Sequence, residues 1–146
     1  MKLINSDNIP IVASFIRLYG DVVSEVASHY DKPIIFRRLS SKENEYGDIM
    51  GRIGTTVYIS EEEVGSIGLT YPEIFASLAH EIGHIVYHTH GWQLDCEHRA
   101  DMLAAQLGLD SQMISAIEKI LDSRRFPNLT SLLVGRIHFL QNMMRG

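Results

Sequence analysis

Apolar residues recur at helical spacing, every three or four positions, along most of this chain. The pattern predicts five helices, over residues 8–30, 70–91, 95–107, from 110 to a break at 126–128, and 129–144. The second is the best delimited. Thr70 and Glu73 have the spacing of a capping box, and Gly91 is a C-terminal stop. Asp110 is predicted to cap the fourth helix.

Two stretches rich in β-branched and aromatic residues, Pro33–Leu39 and Thr55–Ile59, predict strands. Residues 40–52 are polar and contain two glycines, which favours a loop or an irregular hairpin connection. Glu61, Glu62 and Glu63 are predicted to lie in solvent, followed by a turn at Gly65 and Gly68. A helix, then strands, then helices indicates an α+β fold, and residues 1–146 are predicted to form a single domain.

Composition and charge exclude several classes of protein. The chain has 146 residues and a net charge of −5 without an extended basic cluster, which argues against nucleic-acid binding. Its single cysteine, Cys96, cannot form an internal disulfide, which is typical of a reducing compartment. No apolar run is long enough for a membrane span, and the N-terminus lacks a signal peptide. We therefore expect a cytoplasmic protein with no membrane partner.

Candidate chemistry lies in the second predicted helix, in the run His80-Glu81-Ile82-Gly83-His84. This is an H-E-x-x-H motif, and on a helix it places two imidazoles on one face, where both can bind one zinc ion. Glu81 stands beside them, where it can take a proton from a water molecule on the metal. The motif predicts a Zn²⁺ centre with Glu81 as general base and then acid.

A catalytic zinc needs a third protein ligand, for which several residues compete. His88 continues the series at i+8, but it lies about 12 Å along the helix from His80, too far to share an ion. His90 has the spacing of H-E-x-x-H-x-x-G-x-x-H, but Tyr87 occupies the glycine position. Glu97 follows His84 by thirteen residues, near the start of the next helix. We favour Glu97, with Asp95 as a less favoured substitute.

Glu97 and Asp101 are four residues apart and share one helix face. If the two helices pack antiparallel, Glu97 reaches the metal, and Asp101 can accept a hydrogen bond from the free nitrogen of a ligating histidine. Ala100 between them permits close packing. The predicted site therefore comprises His80, His84 and Glu97 as metal ligands, Glu81 as catalytic residue and Asp101 as a supporting residue.

His80-Glu81-Ile82-Gly83-His84, followed by Glu97-His98-Arg99-Ala100-Asp101, resembles the gluzincin metallopeptidases of the HtpX/CAAX-prenyl-protease type. Without a membrane helix, the chain is more similar to the short soluble minigluzincins. The resemblance implies a zincin-like fold and a zinc-dependent endopeptidase acting on a peptide or protein substrate. It also implies a sheet-edge strand that holds extended substrate, for which we take Thr55–Ile59, and it leaves His138 as a possible oxyanion-stabilising residue.

Two alternatives stay open. The chain is also similar to the ImmA/IrrE group of regulatory metalloproteases, for which the substrate would be a repressor protein. The second alternative is a non-catalytic zinc-binding interaction protein. Glu81 favours an enzyme, because a structural zinc site has no use for a base and usually has four protein ligands.

Overall fold

The computed structural model describes residues 1–89 and 93–145. Within these ranges there are six α-helices, four strands and a short 3-10 helix at Pro127–Leu129. The strands are β1 (Lys2–Asn5), β2 (Pro33–Arg38), β3 (Met50–Ile53) and β4 (Thr56–Ile59). The helices are α1 (Pro10–Val26), α2 (Glu61–Ile67), α3 (Tyr71–Val86), α4 (Leu94–Gln106), α5 (Asp110–Ser123) and α6 (Thr130–Arg145). The predicted α+β class is confirmed.

The chain divides into two compact units, Met1–Ser66 and Ile67–Gly146. The first contains the sheet, whose strand order is β1-β2-β4-β3. β1 and β4 both pair with β2 in parallel, and β3 pairs with β4 antiparallel. The parallel β1–β2 pair needs a crossover, which α1 provides. Phe15 of α1 packs on Phe36 of β2, with ring centroids 6.5 Å apart, and both side chains are fully buried.

Three elements of this unit were not predicted from the sequence. β1 and β3 have four residues each, too few to show a clear two-residue alternation, and α2 forms where a solvated run and a turn were expected. The structure also contradicts the assignment of Thr55–Ile59 as a substrate-binding edge. β4 is paired on both sides, by β2 and β3, and therefore has no free backbone edge for a peptide.

The second unit is helical and begins with the predicted capping box. The Thr70 hydroxyl accepts from the Glu73 amide at 3.4 Å, and the Glu73 carboxylate accepts from the Thr70 amide at 2.7 Å. The same carboxylate binds Ser115 and Lys119 of α5. Burial would raise the pKa of Glu73, but the Lys119, Ser115 and Thr70 bonds outweigh it and lower the pKa to about 2. This network fixes the start of α3 against α5.

The predicted end of α3 and the predicted capping role of Asp110 are wrong. α3 ends at Val86, where Tyr87 is the cap and His88 adopts a left-handed conformation. The predicted stop at Gly91 lies outside the described residues. Asp110 is the first residue of α5, which has no side-chain cap; Leu109 precedes it. No helix in the described part of the chain combines the length and apolar character needed to cross a membrane.

Candidate metal centre

His80 and His84 stand one turn apart on α3, with exposed fractions of 6% and 2%. Glu97, in the first turn of α4, is 5% exposed. Glu97 Oε2 lies 2.9 Å from His80 Nε2 and 3.2 Å from His84 Nε2, and the two Nε2 atoms are 3.1 Å apart. In the described part of the chain, these three residues form the one cluster of His, Cys, Asp or Glu side chains that could hold a metal ion.

This triangle has the dimensions of a tetrahedral site. Zinc bonds to nitrogen and oxygen of about 2.0–2.1 Å at tetrahedral angles put neighbouring ligand atoms about 3.3 Å apart. The three observed separations, 2.9, 3.1 and 3.2 Å, are close to this value. A small divalent cation could therefore bind all three atoms with little movement of the side chains.

The outer nitrogens of both imidazoles are hydrogen-bonded. His80 Nδ1 lies 2.7 Å from Asp101 Oδ1, and His84 Nδ1 lies 2.6 Å from Thr89 Oγ1. A carboxylate can only accept, so the hydrogen of neutral His80 is on Nδ1 and its Nε2 carries a lone pair. Such outer partners are typical of metal-ligating histidines. The hydrogen bond predicted for Asp101 is present.

A close helix contact brings α4 to these imidazoles. A Cβ on Gly83 would lie 2.5 Å from the Ala100 carbonyl oxygen and 2.8 Å from its Cα, so the two backbones are in direct contact. Ala100 lies between Glu97 and Asp101 in sequence and is fully buried. Because of this contact, Glu97 reaches the inner nitrogens, and Asp101 reaches the outer nitrogen of His80. Ala100 therefore permits close packing as predicted. The contact also depends on Gly83, where any side chain would collide with the Ala100 backbone.

Arg136 of α6 completes the buried network. Its Nε and Nη2 donate to the two carboxylate oxygens of Asp101 at 2.9 and 2.8 Å, and Nη2 lies 3.1 Å from His80 Nδ1. Asp101 is fully buried and Arg136 is 7% exposed. A planar two-bond fork of this kind fixes the position as well as the charge of the carboxylate. Arg136 thus holds Asp101, which holds His80.

The electrostatics of the centre favour a cation between the three ligands. Burial would raise the pKa of Glu97, but its close contacts with His80 and His84 outweigh burial and hold the pKa well below its usual range. Burial and Arg136 would lower the pKa of His80, yet Asp101 and Glu97 raise it. Burial would raise the pKa of Asp101, but Arg136 and His80 lower it to about 2. Glu97 and Asp101 are thus both carboxylates at neutral pH.

The other candidates lie apart from this cluster or outside the described residues. His88 is exposed beyond the end of α3, Asp95 is exposed in the first turn of α4, and His138 is exposed on α6. His90 lies outside the described residues, so its role as an alternative ligand stays a prediction. Glu81 is half-buried next to His80. Burial would lower the pKa of Arg136, but Asp101 above all, then Glu97 and Glu81, raise it.

Two residues of the centre were missed from the sequence. Arg136 was not predicted as a site residue, although it occupies a core position between Leu133 and Leu140 on α6. A charged residue at such a position indicates a buried partner. Thr89 had no comparable signal, because its place depends on where α3 ends.

Comparison of the chain with protein-family models, with characterised proteins and with solved structures found no match.

Removing the Glu97 side chain is expected to weaken zinc binding strongly. Glu97→Ala deletes one of three ligand atoms, so zinc affinity should fall by more than the roughly 10–100-fold typical of losing an outer hydrogen-bond partner. Isothermal titration of metal-free protein with zinc measures this, with Asp95→Ala on the same helix turn as the control. If Glu97→Ala retains full affinity while His90→Ala loses it, His90 is the third ligand.

Proposed function

We propose that the chain is a zinc-dependent metalloendopeptidase of zincin type, similar to the minigluzincins, that hydrolyses peptide bonds with Glu81 as general base and acid. The observation that carries the proposal is the buried triangle of His80, His84 and Glu97. Two imidazoles and one carboxylate are a donor set that suits zinc, and three ligands, as the described residues supply, is the number that a catalytic rather than a structural zinc takes from the protein.

Each residue has a distinct part in this proposal. His80, His84 and Glu97 would hold the ion, which when bound supplies a Lewis acid that polarises the scissile carbonyl and activates water. Asp101 and Thr89 keep the two imidazoles oriented through their outer nitrogens. Glu81 is half-buried beside His80 and lies outside the ligand triangle. It takes a proton from the attacking water and passes it to the leaving amine.

A non-catalytic metal-binding protein is the second candidate, and burial favours it. All three ligand side chains are nearly inaccessible, at 6%, 2% and 5% exposed, as in a centre that stabilises a fold. A repressor substrate, as in the ImmA/IrrE group, remains a hypothesis from the sequence resemblance. The two candidate functions differ in what they require of Glu81.

Glu81→Gln separates them. If Glu81 moves the proton, the amide should lower cleavage of an unstructured protein, such as labelled casein, by about 10²–10⁴-fold. Zinc stoichiometry, measured by atomic absorption, should stay at that of the wild type, because Glu81 is outside the triangle. Glu62→Gln, which neutralises an exposed acid on α2, is the matched control and should cleave normally.

The enzyme proposal fails if wild-type protein carries stoichiometric zinc but cleaves no member of a substrate panel. It fails equally if wild type and Glu81→Gln cleave at the same rate, since the base would then have no part in the reaction. The first result would leave a metal-binding protein, and the second would leave cleavage that does not use Glu81.

A further inference from the structure

The end of α3 has a hydrogen-bond pattern that usually relies on glycine. The Thr89 amide donates to the His84 carbonyl at 3.0 Å, and the His88 amide donates to the Ile85 carbonyl at 3.2 Å. This pair of bonds is a Schellman cap, whose pivot residue adopts a left-handed conformation. Here the pivot is His88, with φ of 51°, although residues with a side chain rarely adopt this conformation. The end of α3 at this point therefore depends on the two hydrogen bonds that the His88 and Thr89 amides donate.

The cap places both the amide and the hydroxyl of Thr89 against His84. The Thr89 amide bonds to the His84 carbonyl, as described above. The Thr89 hydroxyl donates to the same carbonyl oxygen at 3.4 Å and lies 2.6 Å from His84 Nδ1. A metal ion on His84 Nε2 needs the lone pair of that atom, so the hydrogen of His84 is on Nδ1, and the Thr89 hydroxyl oxygen 2.6 Å away accepts it. Thr89 is 6% exposed, so water competes little for these bonds.

We propose that Thr89 is a positioning residue of the metal centre, which the cap of α3 places so that its hydroxyl fixes the tautomer and the ring orientation of His84. The inference rests on the metal centre proposed above. Thr89 serves His84 as Asp101 serves His80, but with a neutral oxygen in place of a carboxylate. With both outer hydrogens accounted for, both Nε2 lone pairs face Glu97 across the 2.9–3.2 Å triangle.

The experiment compares zinc affinities of three variants with wild type by titration of metal-free protein. Thr89→Val keeps the side-chain shape but removes the hydroxyl, and zinc affinity should fall by about 10–100-fold, as for other outer partners of ligating histidines. Thr89→Ser keeps the hydroxyl and should therefore avoid that loss and bind zinc like wild type. Thr70→Val deletes the hydroxyl that caps the other end of α3, so it should lower stability without changing zinc affinity.

A second readout, on wild-type protein alone, does not depend on any variant folding. Long-range ¹H–¹⁵N spectra should show His84 with its hydrogen on Nδ1, and finding it on Nε2 instead would overturn the proposal. In Thr89→Val the preference for that tautomer should weaken. Equal zinc affinity in Thr89→Val and wild type would overturn the role of Thr89 and leave the metal centre standing. A wild-type protein that binds no zinc would overturn the metal centre and this inference together.

Discussion

Gly83→Ala should abolish tight zinc binding, although the added methyl group does not touch a ligand atom. The new Cβ would lie 2.5 Å from the Ala100 carbonyl oxygen, whereas ordinary contact begins at 3.4 Å, so α4 must retreat by about 0.9 Å (3.4 − 2.5). The atoms it would strike belong to backbone, so no side-chain rotation relieves the contact. Metal–ligand distances tolerate only about ±0.2 Å, and Glu97 moves with α4. Zinc affinity should fall by at least the roughly 100-fold that marks a severe loss.

The sign of the stability change follows from comparing two effects. Alanine is favoured over glycine inside a helix by about 1 kcal/mol, whereas overpacking a close contact costs about 1–3 kcal/mol. Gly83→Ala should therefore be destabilised in urea unfolding, by up to about 2 kcal/mol. Gly65→Ala is the matched control, because Gly65 is also helical and nothing lies within 4 Å of its added Cβ. It should be neutral or slightly stabilised. A Gly83→Ala protein that binds zinc like wild type would show that α4 can adjust without losing the centre.

Arg136→Met should cause the largest loss of stability. It leaves the carboxylate of Asp101, which is fully buried, without its cation. Breaking one side of a buried ion pair typically costs about 3–5 kcal/mol. Zinc affinity should also fall by about 10–100-fold, because Asp101 no longer holds His80 firmly. Urea unfolding of metal-free protein measures the first effect and zinc titration the second.

The pH dependence of the same variant has a definite sign. In wild type the pKa of Asp101 is about 2, below the ordinary value of 3.8, so its stabilising contribution is complete above pH 3.8 and is lost as the pH falls towards 2. Without Arg136 this pKa rises, and acid unfolding should begin at a higher pH. Arg99→Met, at an exposed position of α4, should change neither property.

A double variant separates charge from packing. Asp101→Asn combined with Arg136→Met removes both charges, and it should recover part of the stability lost in Arg136→Met alone. If Arg136→Met unfolds at the wild-type urea concentration, the pair contributes nothing net, and the role assigned to Arg136 is wrong.

The parts of the centre that sequence reasoning found are those determined by local spacing. His80 and His84 follow from helical period, and Glu97 with Asp101 from a second amphipathic run after a short reversal. Gly83 is also marked in the sequence, because a glycine within a helix is destabilising unless a neighbouring element packs too closely for a side chain. Thr89 could not have been found, because its position depends on a left-handed histidine where glycine is the usual residue.

The sheet was predicted less completely, for a related physical reason. β2 and β4 contain enough β-branched and aromatic residues to be recognised, whereas β1 and β3 have four residues each and depend on their neighbours for pairing. Strand order is a property of long-range contacts, so the sequence pattern could not show that β4 would be internal. The observed pairing of β4 rules it out as a peptide-binding edge, but it does not affect the prediction of the metal centre.

The fork between Arg136 and Asp101 bears on any attempt to move this centre to another protein. A graft of the α3 segment alone would bring two imidazoles, but neither the carboxylate ligand nor the group that orients His80. Adding α4 brings a buried acid whose charge the new host would have to neutralise. The smallest portable unit therefore comprises the three helices α3, α4 and α6, which carry His80, Asp101 and Arg136, and includes the glycine that lets α3 and α4 touch.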